Sequence, residues 1–129
     1  MDQTKQRAYS GSRWEEQAAY CRAIRSGPQI AVSGTTAVNG AGEVVGGDVH
    51  DQAIFVFTKI RTALRDLGAD LDDVVRTRTF LTDMRQLDGF IRAHRETFGG
   101  LDPAATCVEV SGLVDDRLLI EVEVDAFQP

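Results

Sequence analysis

The chain has 129 residues and a mass of 14.1 kDa, the size of one domain with its own core. Fourteen Lys and Arg against twenty Asp and Glu leave a net charge of −6, with an isoelectric point near 4.8, so a nucleic acid or an anionic membrane surface is not the expected partner. The two cysteines, Cys21 and Cys107, form no C-x-x-C pair, which excludes a zinc knuckle or dithiol redox motif by spacing, and the absence of a secretory h-region or a run of ~18 apolar residues predicts a soluble cytoplasmic protein.

In chain order, residues 1–12 are polar and Gly/Ser-containing and read as a flexible N-terminal arm; residues 13–129 read as the single domain. Tyr20 to Ile24 and Gln29 to Ser33 are short apolar-rich runs around Ser26-Gly27-Pro28, a hairpin-like turn. Asn39-Gly40-Ala41-Gly42 is a second turn; it lacks the G-x-G-x-x-G spacing and the lysine of a phosphate loop. From Asp48 to Leu67, the residues Val49, Ala53, Phe57, Ile60, Leu64 and Leu67 recur every three or four positions, which predicts a helix capped by Asp48 and stopped at Gly68.

Val74 to Leu81 reads as a strand with Val75, Thr77, Thr79 and Leu81 on one face. A second helix is expected over Leu87–Phe98, with Leu87, Ile91, His94 and Phe98 as its inner stripe. Ala105 to Val110 and Leu118 to Ala126 alternate as strands, the latter placing Ile120, Val122, Val124 and Ala126 opposite Glu121, Glu123 and Asp125. Strict alternation predicts a half-buried sheet, and the order strand, strand, helix, strand, helix, strand, strand predicts an α+β domain with two helices on one face of a mixed or mostly antiparallel sheet. The second face should then carry Arg22, Arg76, Arg78, Cys107, Glu109, Glu121, Glu123 and Asp125. Opposite charges so placed pair across strands or line the seams of a closed oligomer.

Several stretches, in order, carry a resemblance. They are Tyr20-Cys21-Arg22-Ala23-Ile24, Val32-Ser33-Gly34, Leu67-Gly68-Ala69, Phe80-Leu81-Thr82-Asp83-Met84, Pro103-Ala104-Ala105-Thr106-Cys107-Val108-Glu109-Val110 and Leu119-Ile120-Glu121-Val122-Glu123. From about Tyr20 to Phe127 the chain resembles the YjgF/RidA family. The resemblance implies a chorismate-mutase-like fold and a homotrimer with a central β-barrel and three inter-subunit clefts. It further implies enamine or imine hydrolysis on a small metabolite without cofactor or metal. Onto the family's site it carries Tyr20, Ser33, Cys107 and Glu121. Ala105 stands where the family has an arginine to clamp a substrate carboxylate.

Glu121 is the acid/base candidate, since imine hydrolysis needs a positioned water and a proton for the leaving nitrogen. Arg22 is a candidate substitute clamp; its alternative is an ion pair with Glu109 or Glu121. Tyr20, Ser33, Thr106, Cys107 and Glu109 are assigned to the substrate pocket. Cys107 has no histidine beside it in the pattern and reads as pocket lining, not a nucleophile. His50 and His94 lack metal-ligand spacing. The expected alternative to an enzyme is a module that binds or senses a metabolite in the same cleft.

Overall fold

The computed structural model describes residues 5–129. Six strands, β1 (Lys5–Ala8), β2 (Ala23–Ser26), β3 (Gln29–Thr36), β4 (Val74–Leu81), β5 (Ala104–Glu109) and β6 (Ile120–Phe127), form one sheet in the order β1-β2-β3-β6-β4-β5. All neighbours run antiparallel except β4 and β5, which the second long helix links in parallel. The helices are α1 (Arg13–Ala18), α2 (Val49–Asp66) and α3 (Leu87–Phe98). The α+β class and the mixed sheet are as expected. Among the described residues no helix is long and apolar enough to cross a membrane.

The whole predicted stripe of α2 is buried, and Phe57, Ile60 and Leu64 pack with Ile30, Val32, Leu81, Ile120, Val122 and Val124 from the sheet. Each such side chain contributes roughly 1.5–3 kcal/mol of burial. The Asp48 carboxylate caps α2 by accepting from the Asp51 amide at 2.8 Å. The Phe57 ring meets Phe98 of α3 edge-on at 5.4 Å, which locks the two helices together.

Four expectations need correction. The arm does not begin loose through to residue 12: Lys5–Ala8 pairs antiparallel with Ala23–Ser26 as an edge strand, and α1 follows; residues 1–4 lie outside the described residues. In β4 a bulge between Val74 and Arg76 turns Val74 inward and leaves Val75 50% exposed. In α3 the inner face is Phe90, Ala93 and Phe98, while Ile91 is 49% exposed; the stripe is one residue off at that turn. Most consequential, Cys107 and Glu109 do not share a face with Glu121. In the parallel ladder Cys107 lies beside Thr79 and Glu109 beside Leu81, both of which point under the helices. Glu121 lies beside Phe80, on the opposite face.

Candidate functional site

The Glu121 carboxyl sits on a break in the sheet. Between Val32 and Thr35, β3 carries one more residue than β6, so Ser33 and Gly34 bulge out of register. The Glu121 side chain fills the space that a side chain at 34 would need: a β-carbon there would stand 2.5 Å from Oε2 and 2.9 Å from Cδ. Only glycine permits this approach. Among the described residues the carboxyl has no hydrogen-bond partner, and it is half-buried. Burial pushes its pKa up, the Glu123 charge adds to this, and the Arg22 charge opposes it; the net shift is upward.

Arg22 does not reach for a ligand. It is 4% exposed and its donors are committed inside the protein. Nε and Nη2 donate to Oε2 of Glu15 at 3.3 and 3.0 Å, and Nη1 donates to the Gly34 carbonyl at 2.6 Å and to Thr35 Oγ1 at 3.2 Å. The partner is therefore Glu15, not Glu109 or Glu121. Glu15 in turn accepts from the Ser10 amide and hydroxyl. Burial raises the Glu15 pKa, but the Ser10 and Arg22 hydrogen bonds outweigh it and the net shift is downward. Arg22 thus pins the Gly34 carbonyl, and with it the bulge under Glu121. The Tyr20 ring lies 5.7 Å from the Arg22 guanidinium and is 37% exposed. Ser33 Oγ donates to the Cys21 carbonyl at 2.8 Å.

Lys59 of α2 closes the far side of the bulge, donating to the carbonyls of Thr36 at 3.3 Å and Val38 at 3.0 Å. Burial lowers its pKa, as does the Arg22 charge, while Glu15 opposes them.

A second feature lies under the helices, where α3 meets the start of β5. It is a groove of about 640 Å³, walled by Phe90, Phe98, Pro103 and Ala105. Its ionisable lining is His94, Arg95 and Asp102. His94 Nε2 shares a hydrogen bond with Thr77 Oγ1 at 2.9 Å, and burial lowers the His94 pKa, which keeps the ring neutral near pH 7. Cys107 lies further along β5; burial raises its pKa and holds it as the thiol. Glu109 accepts from the Met84 amide at 2.8 Å and fastens the turn before α3. Among the described residues no group of three or more His, Cys, Asp or Glu side chains could hold a metal ion.

The family model described as endoribonuclease L-PSP matches residues 11–128. The chain is 36% identical to a crystal structure from Mycobacterium tuberculosis titled a member of the YjgF/YER057c/UK114 family. The two superpose with a TM-score of 0.88, over 95% of this chain and 98% of that one. The chain belongs to the YjgF/RidA family. An uncharacterised protein of Streptomyces coelicolor is 37% identical, over 95% of this chain and 91% of its own length. A RutC family protein of Pyrococcus abyssi is 36% identical, over 84% and 86%.

Set against the YjgF/RidA pattern, the structure brings Tyr20, Ser33 and Glu121 together around the β3 bulge. It sets Cys107 and Ala105 apart from them, beneath the helices, and leaves Thr106 on the open face beside Arg78, with β4 between it and Glu121. Sequence reasoning missed Glu15 and Lys59. Glu15 carried a signal, the S-x-x-E pattern Ser12 to Glu15, which marks a helix start. The pattern coincides with the start of α1, though the Glu15 side chain turns away to Ser10 and Arg22 while Ser12 caps the Trp14 amide. Lys59 carried none; it is one polar residue on an otherwise ordinary helix.

Proposed function

We propose that this YjgF/RidA-family chain assembles as a homotrimer in the cytoplasm, and that its inter-subunit clefts hydrolyse the C=N bond of a small carboxylated imine, whether supplied as such or formed from its enamine tautomer. The observation that carries the reading is the Glu121 carboxyl: half-buried, without a hydrogen-bond partner among the described residues, and with a raised pKa. Such a group can take a proton from an attacking water and return it within one cycle. Water oxygen bonds to the imine carbon while Glu121 accepts one of its protons and passes it to the nitrogen, giving a carbinolamine. Glu121 then takes the hydroxyl proton and delivers it to the nitrogen as the C–N bond breaks and the C=O bond forms, so a keto acid and ammonia leave and the carboxylate is restored. No cofactor enters this balance. Tyr20 and Ser33 shape the pocket on the Glu121 side.

The trimer supplies the rest. Cys107 and Glu121 point to opposite faces of one sheet, with β4 between their strands. A pocket containing both requires the helix-side surface of one copy and the bulge of another. In that composite cleft Cys107 is contributed from β5 and Glu109 braces the adjoining turn, while Thr106, on the open face beside Arg78, stands outside it.

The test generates 2-aminoacrylate in the presence of the full chain and follows keto-acid release. Acceleration over the spontaneous rate is expected with wild type and not with Glu121→Gln. No acceleration on this or larger imines would overturn the hydrolase reading. A second reading, a binding module without turnover, is favoured by one observation: position 105 is alanine and Arg22 is committed to Glu15, so neither supplies the family's carboxylate clamp. It predicts thermal stabilisation by keto acids with no turnover. RNA cleavage has no comparable support: Arg76 and Arg78, which face outward, sit against Asp125 and Glu123.

A further inference from the structure

We propose that Arg95 anchors the carboxylate of an aromatic or branched apolar ligand in the groove between α3 and β5, taking the part that Ala105 cannot play. The inference rests on the reading above that the cleft takes a carboxylated metabolite, and it assigns the missing anchor to a residue.

Three observations converge on Arg95. First, the groove has the size of a ligand site: about 640 Å³, within the range that holds small organic molecules. Its walls are two phenylalanine rings, a proline and a methyl group, so the body of the occupant must be apolar. Second, Arg95 and Ala105 line the same groove, one from the helix and one from the strand. The groove that a longer side chain at 105 would enter therefore already borders a guanidinium, that of Arg95. Third, Arg95 is unspent. Arg22, Arg61, Arg65, Arg78, Arg85 and Arg117 each pair with a carboxylate. Among the described residues Arg95 makes no ion pair.

The neighbouring groups sharpen the assignment. His94 is the other basic group in the lining, and its ring is neutral and tied to Thr77. The full positive charge in the groove is therefore Arg95. Asp102 is its negative counterpart. An anion in the groove is attracted by the Arg95 charge and repelled by the Asp102 charge.

Titration of the full chain with phenylacetate tests this, with phenylacetamide as the neutral molecule of the same shape and amide NMR shifts to locate both. Phenylacetate is expected to move the signals of Phe98 and Ala105. Arg95→Gln should weaken it about fivefold to tenfold and leave phenylacetamide unchanged, since the lost contact is a partly exposed ion pair. Arg95→Lys should retain most of the affinity. Asp102→Asn should tighten phenylacetate by about twofold to threefold; asparagine tolerates the positive φ of 51° at that position. Equal phenylacetate affinity in wild type and Arg95→Gln, or no shift at Phe98 and Ala105, would overturn the inference. The two readings fail separately. Arg95-dependent binding without imine turnover would remove the hydrolase and keep the anchor. Wild-type turnover in Arg95→Gln would keep the hydrolase and remove the anchor.

Discussion

At the scale of single residues, the Glu121 carboxyl is held against its own stability. Its folded pKa lies above the unfolded value because burial and Glu123 disfavour the charge. Below both pKa values the group is neutral in either state and costs nothing; as pH rises through the folded pKa the folded state must carry a disfavoured anion. Glu121→Gln should therefore raise the melting temperature at pH 7 and leave it nearly unchanged at pH 4, while cutting turnover by about 10²-fold or more. Melting curves at the two pH values, beside the rate assay, check both. Gly34→Ala tests the same contact from the backbone. The new methyl group would strike the end of a flexible side chain, so Glu121 swings aside and the fold survives. Turnover should fall to the level of Glu121→Gln with little change in melting temperature; undiminished turnover would show that the carboxyl need not sit there. Glu121 was legible in the sequence as one of the polar residues alternating with Ile120, Val122 and Val124. Its close approach to Gly34 was not, because the β3 bulge leaves no mark in a two-residue period.

At the scale of elements, the site depends on α1, a six-residue helix of little intrinsic stability that delivers Glu15 to Arg22. Both side chains are about 95% buried, so removing one strands the other charge in the interior. Arg22→Ala should cost about 3 kcal/mol, read as a lower urea midpoint. It should also release the Gly34 carbonyl and depress turnover. The folded Glu15 pKa is lowered, so its stabilisation is present above the unfolded pKa and is lost as pH falls through the folded value. Acid unfolding of wild type should begin there, and the acid dependence should be shallower in Glu15→Gln. The long elements α2, β4, α3 and β6 were readable from periodicity to within about two residues. Three details were not, since neighbours in space decide them: the β4 bulge, the exposed Ile91 and the face of Cys107. The last follows only from the parallel pairing of β5 with β4, which no local pattern encodes.

At the scale of the whole molecule, the charge of −6 is uneven. The last 21 residues carry a net −5, and β6 holds its share of it on the open face of the sheet, where Arg78 lies 3.1 Å from Asp125 and 3.4 Å from Glu123. The long helix α2 packs on the other face, and this one also presents Val108 and Phe127, which are 42% and 48% exposed. Covering it with further copies of the chain accounts for its mixed character, and light scattering should give about three times the mass of 14.1 kDa. The separation of Cys107 from Glu121 makes the same demand more sharply, because a cleft containing both must draw its halves from two chains. Mixing two inactive chains tests this. One is Glu121→Gln, with its groove intact; the other is Ala105→Trp, with the groove filled and Glu121 intact. Unfolded together and refolded at equal amounts, they should regain turnover in about a quarter of the clefts, those pairing one wild-type half with the other. Turnover that stays at the level of the separate variants would place the whole site within one chain and contradict the shared cleft.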